Sequence, residues 1–321
     1  MEEKSFFFST GKTKDIAAGI VITSFMLAAF AYLPVVGTLI SFSIPIPVLF
    51  YRSKLGRKDG IIIPLSAMAL VLVFSKEISV DTLFIMDLLL LGFVLSELME
   101  LKLSIEKTIG FACSIVFFSC LLCLLLYGNI SGKNIFTATS DFVAKNLELS
   151  MALYESMDIP EKHLYIISNA MKNIEYVLVR MLPALLIILN IFISWACILL
   201  VKPVLKGKGL FYPDFGQLKH WKAPDFLVWC VIASCLLLLW PDKTIKIIGL
   251  NAIFILMTIF FFEGIAIVAY YFEKKAVPRT VRFFLYTLIA LQQIVLIIVI
   301  GLGFFDVWFD FRKLGAHNEK V

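Results

Sequence analysis

Of the 321 residues, 60% are hydrophobic and only 17% are charged, and the mean hydropathy is +0.94, whereas a soluble domain is nearer half apolar and a quarter charged. The apolar residues fall in long runs between short charged stretches, which excludes a soluble globule, and the lack of strict apolar–polar alternation excludes a lipid-facing β-barrel. The net charge of +5 sits in the loops, where it orients helices in a bilayer rather than gripping nucleic acid. The reading is an all-α, polytopic helical membrane protein whose first partner is the lipid bilayer.

In chain order, the amino-terminal MEEKSFFFSTGKTKD carries acids and no small-residue cleavage site, so it reads as a retained segment. About nine transmembrane helices are expected, over 16–33, 36–51, 60–75, 80–98, 108–127, 177–201, 225–240, 247–272 and 281–305. With the amino terminus in the cytoplasm of a bacterial plasma (inner) membrane, the inner loops collect 18 of the 29 Lys and Arg residues, as the positive-inside rule requires. This count leaves Arg312 and Lys313 outside. The second run, VGTLISFSIPIPVLFY, is short, and Pro45 and Pro47 remove two backbone donors, so a kinked or partly unwound helix is expected there. After the fifth run comes the one long polar stretch, an acidic outer excursion over 128–176. Two amphipathic helices are expected in it, the first marked by Val143, Leu147, Tyr154 and Met157. The second starts at Asp158 and Pro160 and runs into the sixth span.

No catalytic constellation is present. His163, His220 and His317 are scattered, and the chain lacks H-E-x-x-H, zinc-spaced cysteine pairs and a phosphate-cradling glycine loop, so neither an enzyme nor a metal or cofactor is expected. The six cysteines lie inside apolar runs and read as small hydrophobes, the C-x-x-C of Cys120 and Cys123 included. What remains is polarity inside the spans, which is costly in lipid and therefore informative. Counted from the span ends, Asp87, Asn190, Glu263 and Gln292 lie roughly 14–17 Å deep, with Gln293 beside the last. These five are the candidate ligand-binding residues. Asn190 and Asn251 also suit packing between helices. The short basic turn KKAVPRTVR predicts that the last two spans form an antiparallel hairpin with Glu263 and Gln292 level. Finally FFDVWFDFRK, from Phe304 to Lys313, mixes an aromatic anchor with Asp306, Trp308, Asp310 and Arg312. Those four form a second candidate motif that could pair with another loop.

The strings SIPIPVLFYRSKLGRKDG, RMLPALLIILNIFISW, YPDFGQLKHWKAPDFLVW, EGIAIVAYYFEKK and above all FDVWFDFRK resemble the YybS-like family of bacterial membrane proteins. That family is distantly similar to the substrate-capturing subunits of energy-coupling-factor transporters. The resemblance implies a six-helix substrate-binding unit, here residues 1–205, followed by a three-helix appendage, 206–321. Where those subunits carry A-x-x-x-A on the first helix, this chain has the looser pairs Gly19–Thr23 and Ser24–Ala28. The functional expectation is small-molecule binding or transport, with a small-molecule ligand and a membrane or ATPase partner subunit. The alternative is a scaffold or assembly factor that binds a protein.

Overall fold

The computed structural model describes residues 10–75, 80–132, 134–156 and 161–313, and every regular element among them is helical. The chain divides into two compact units: residues 1–179 with 189–214, and residues 180–188 with 215–321.

The first unit opens with α1 (Thr10–Tyr32), which packs on α2 (Pro34–Ser41), α3 (Pro45–Leu55) and α5 (Ile62–Ser75); the single turn α4 (Arg57–Gly60) joins α3 to α5. The second apolar run is thus broken, between Ser41 and Pro45. Pro45 occupies the first turn of α3, where its missing N–H has no helical partner to lose, so it begins the second half of the run. At the break α3 meets α6 (Val80–Glu100), the most enclosed helix of the unit. Gly92 allows this approach, because a Cβ there would run into the Pro45 carbonyl and lie 2.9 Å from its Cα.

Next, α7 (Ile105–Ser131) packs along α6 and ends at Gly132, whose positive φ of 68° stops the helix. The outer excursion holds two helices. The first, α8 (Ile135–Ser156), follows Asn134, whose Oδ1 accepts the Phe136 N–H at 3.3 Å, and Val143 of its apolar stripe is buried. The second is α9 (Glu161–Gly207), which continues unbroken into the sixth run and would be about 70 Å long if straight. Ser140 on α8 bonds Glu175 on α9 at 2.5 Å. The expected start signal at Asp158 and Pro160, and Met157 before it, lie outside the described residues.

Loops that the charge count assigns to one side do meet at one end of this unit. Lys12 pairs with Asp59 at 3.0 Å, Lys54 with Asp15 at 2.6 Å, and Lys102 sits over the Phe211 ring. Arg52 is buried there. Its Nε donates to Glu97 at 2.8 Å and its terminal nitrogens pair with Glu97 and Glu100.

The second unit contains α10 (Leu227–Leu239), α11 (Lys243–Lys274), α12 (Arg279–Leu291) and α13 (Gln293–Phe309). Asp242 caps α11, accepting from the N–H groups of Thr244 and Ile245. Asn251 of α11 spans the Pro183 turn of α9: its amide donates to Arg180 O at 3.0 Å and its oxygen accepts from Ala184 N at 3.1 Å. In a regular helix those two backbone groups would bond each other.

The expected ninth span is not one helix, since α12 and α13 are bent by 100° at Gln292. Nor do α11 and α13 form a simple antiparallel hairpin. They cross where Gly264 and Gly303 bring backbone onto backbone, and beyond the crossing they run in the same sense, with Phe260 against Phe304 and Tyr271 against Phe311. Phe311 therefore ends beside the carboxyl end of α11. The stretch after Lys274 leaves one end of the unit and returns to it, so the tail is on the same side as Lys219 and Glu273 rather than opposite them. Among the described residues, five helices are long and apolar enough to cross a bilayer, or six with the bent pair counted, against the nine expected. The runs at 36–51, 60–75 and 225–240 give shorter helices.

Candidate functional site

The polar residues singled out in the spans separate into two clusters. In the first unit, Asp87 on α6 and Asn190 on α9 come together, both buried, and the Asn190 amide bonds the Asp87 carboxylate. One turn along α9, Ser194 is fully buried, with Cys113 of α7 beside it and beside Asp87. Among the described residues, Asn190 Oδ1 has no hydrogen-bond partner, Ser194 Oγ has only the Cys113 thiol beside it, and no lysine or arginine pairs with Asp87. The broken helix borders the same stretch of α9. Cys197, three residues beyond Ser194, approaches the Phe42 carbonyl in the gap between α2 and α3 at 3.8 Å. Irregular backbone at membrane depth is tolerated where protein or a cavity satisfies it.

The second cluster is built around Arg312. The terminal motif makes it possible: Asp306 on the last turn of α13 accepts the Phe311 N–H at 2.8 Å, and Asp310 takes a left-handed conformation, φ 38°, that turns the chain back. Arg312 then points into the unit. Its Nη2 donates to Asp306 Oδ2 at 2.8 Å and reaches Glu263 Oε1 at 3.5 Å, while its Nη1 donates to the carbonyls of Lys219 and Trp221 at 3.0 and 2.8 Å. All three ionisable side chains are 0% exposed. Lys219 lies in a single 3-10 turn, Leu218–His220, and α10 begins only at Leu227, so an irregular segment covers α11 at the level of Glu263, with the Ala223 N–H facing that carboxyl. Glu263 lies 11 residues from Lys274, about 16 Å along the helix.

Gln292 and Gln293 do not join either cluster; both are exposed at the α12–α13 break, and the expected level pairing of Glu263 with Gln292 is replaced by its pairing with Arg312. The hairpin argument failed because it needed a continuous last helix. Trp308 is also exposed, with Phe304 edge-on and Phe305 tilted against its ring, while Asp310 shapes the turn. Three participants escaped the sequence reading. Ser194 looked like one more small residue in an apolar run. The carbonyls of Lys219 and Trp221 have no side-chain signature. Arg52 was counted as a loop charge, although the paired acids of ELME at 97–100 were a signal that a buried arginine faced them. Among the described residues no group of three His, Cys, Asp or Glu side chains is placed to hold a metal ion.

An all-helical chain with several bilayer-length helices and two internal clusters of buried charge and amide is a multi-pass integral membrane protein. Residues 21–307 match the family described as "Predicted membrane protein (DUF2232)", and the chain belongs to that family. It is similar to "Uncharacterized protein YybS" of Bacillus subtilis (strain 168), with 21% identity over 318 residues that cover 94% of this chain and 98% of that protein. No solved structure matches.

Proposed function

We propose that this protein binds a small solute inside the bilayer of the bacterial plasma membrane and passes it across, with its Lys- and Arg-rich end in the cytoplasm. The observation that carries the reading is the unit formed by Asp87, Asn190 and Ser194. Among the described residues, an acid without a basic partner stands beside two buried polar atoms, Asn190 Oδ1, which makes no hydrogen bond, and Ser194 Oγ, which has only the weakly bonding Cys113 thiol beside it. Each such atom costs about 1–3 kcal/mol if it stays unsatisfied, which favours a site completed by a ligand. The site is rich in acceptors, so the solute class is one with N–H or O–H donors, a cationic amine suiting Asp87 best. No covalent chemistry is assigned to the chain. It also carries no nucleotide-binding motif, so net uphill movement draws on an ion gradient or a separate ATPase subunit.

The test is mass spectrometry of small molecules retained by the full-length protein after mild solubilisation. Wild type is expected to retain a donor-bearing solute that Asp87→Asn and Asn190→Leu lose, while both variants stay folded. Retention of the same solute by both variants would overturn the site. A second reading, a membrane scaffold, is favoured by α12, which leaves Phe283, Phe284, Leu288 and Leu291 exposed behind the basic turn at 274–282. It predicts a copurifying protein partner that is lost when Phe283 and Phe284 become serine.

A further inference from the structure

We propose that Glu263 is a proton-binding site, whose proton decides how Arg312 divides its hydrogen bonds between the two acids and the loop at 219–221. The argument is one of charge and geometry and does not depend on what the first unit binds. Two carboxyls and one guanidinium, all with fully buried side chains, face one another in the second unit. With both acids ionised the cluster holds one negative charge in excess, and an uncompensated charge at that depth is far costlier than a proton taken up to cancel it. A metal cation is a poor substitute, because the guanidinium already occupies the space between the acids and repels it.

The hydrogen bonds say which acid takes the proton. Asp306 has both oxygens engaged at 2.8 Å, Oδ1 by the Phe311 N–H and Oδ2 by Arg312 Nη2. Neither of its oxygens is left bare. Glu263 has the long 3.5 Å approach of Arg312 at Oε1 and the Ala223 N–H facing its carboxyl, while its Oε2 is buried without a hydrogen-bond partner among the described residues. Glu263 Oε2 is therefore the atom that gains a proton, the carboxylate becoming a carboxylic acid with no other bond changed.

The groups facing it from each neighbouring element agree. From α13 comes Asp306, from the tail Arg312, and from the segment before α10 Lys222, which is tied to Asp225 at 3.0 Å, with the Ala223 N–H. From α10, Val228 and Val231 join Ala223 and Phe260 in an apolar cluster against which Cys230 packs. On α11 itself Tyr271 donates to Phe311 O, and the Tyr270 ring lies tilted against His220. When the proton leaves, the ionised Glu263 can turn to Arg312 Nε, a buried donor that makes no hydrogen bond among the described residues. Turning the guanidinium toward it loosens the bonds to the Lys219 and Trp221 carbonyls, so proton release is linked to release of that loop.

Infrared spectroscopy of the full-length protein in lipid, in ordinary and heavy water, tests this through the carbonyl stretch of protonated carboxyls. Wild type at neutral pH is expected to show a band that shifts in heavy water and is lost in Glu263→Gln. It should also be lost in Asp306→Asn, where Glu263 is intact but one acid now balances one arginine. Asp87→Asn must leave this component in place. A protonated band that survives in Asp306→Asn, or a Glu263→Gln difference spectrum in which an ionised carboxylate disappears instead, overturns the proposal. So does wild type without any protonated band, a reading that needs no variant to fold.

Discussion

At the scale of single residues the second unit turns on Arg312, which bonds one carboxylate firmly, touches another and caps two bared carbonyls. Truncating it to alanine leaves two buried acids facing each other, so Arg312→Ala should cost about 3–5 kcal/mol of stability, read as a fall in thermal unfolding temperature in detergent. Arg312→Lys should recover little, since one ammonium cannot reach both an acid and two carbonyls from a planar fork. Asn251 offers a contrast. Its three bonds, to Arg180, Ala184 and Ile247, account for its whole amide, which marks it as structural. Asn251→Leu is expected to cost about 1–3 kcal/mol, measured by the same unfolding assay, and to leave solute retention unchanged. Outside the spans, Tyr212 donates to the Ile198 carbonyl at 3.2 Å and burial pushes its phenol up to about 12. A raised phenol favours the protonated folded state. Its contribution is complete below the ordinary tyrosine value of about 10 and is lost as pH climbs to about 12. Tyr212→Phe should flatten unfolding temperature against pH across that interval.

At the scale of helices, the close crossing of α11 and α13 sets where every residue of the tail falls. A Cβ at Gly303 would collide with the Phe260 carbonyl oxygen and lie 2.8 Å from Gly264 N, so the helices would have to separate. Gly303→Ala should cost about 1–3 kcal/mol and, by shifting Asp306 off Arg312, should remove the protonated Glu263 band as well. Helices that are regular were legible in the sequence to the level of single residues. Depth counted from the ends of α6 and α9 put Asp87 and Asn190 level, and they bond. Depth failed where the backbone breaks. Pro45 pointed to a break but not to which half it would start, and nothing local in ALQQIV announces a 100° bend at Gln292. Backbone partners such as Lys219 O are invisible to residue type. The FDVWFDFRK string stood out by composition, yet only the left-handed turn at Asp310 explains why its arginine faces inward.

Within each unit the arrangement fixes which segments share a side. In a background without the six native cysteines, single cysteines at Asn146 and Gly209 should label from opposite faces, because the span within α9 lies between them. Cysteines at Gln217 and Lys313 should label from the same face, since the tail returns to the 219–221 loop. Labelling of Gln217 and Lys313 from opposite faces would restore a ninth full crossing. The return of the tail also orders events during biosynthesis. Glu263 precedes Arg312 by 49 residues, so at ribosomal rates the acid emerges roughly 2–10 s before its counter-ion. For that interval α11 must enter the membrane with its carboxyl uncompensated, and the hairpin of α10 and α11 remains an open assembly intermediate. The arriving tail is then the closing stitch. A chain ended just before Arg312 is expected to insert normally and be degraded, which pulse-chase of the truncated and full chains would reveal as equal synthesis with a shorter half-life.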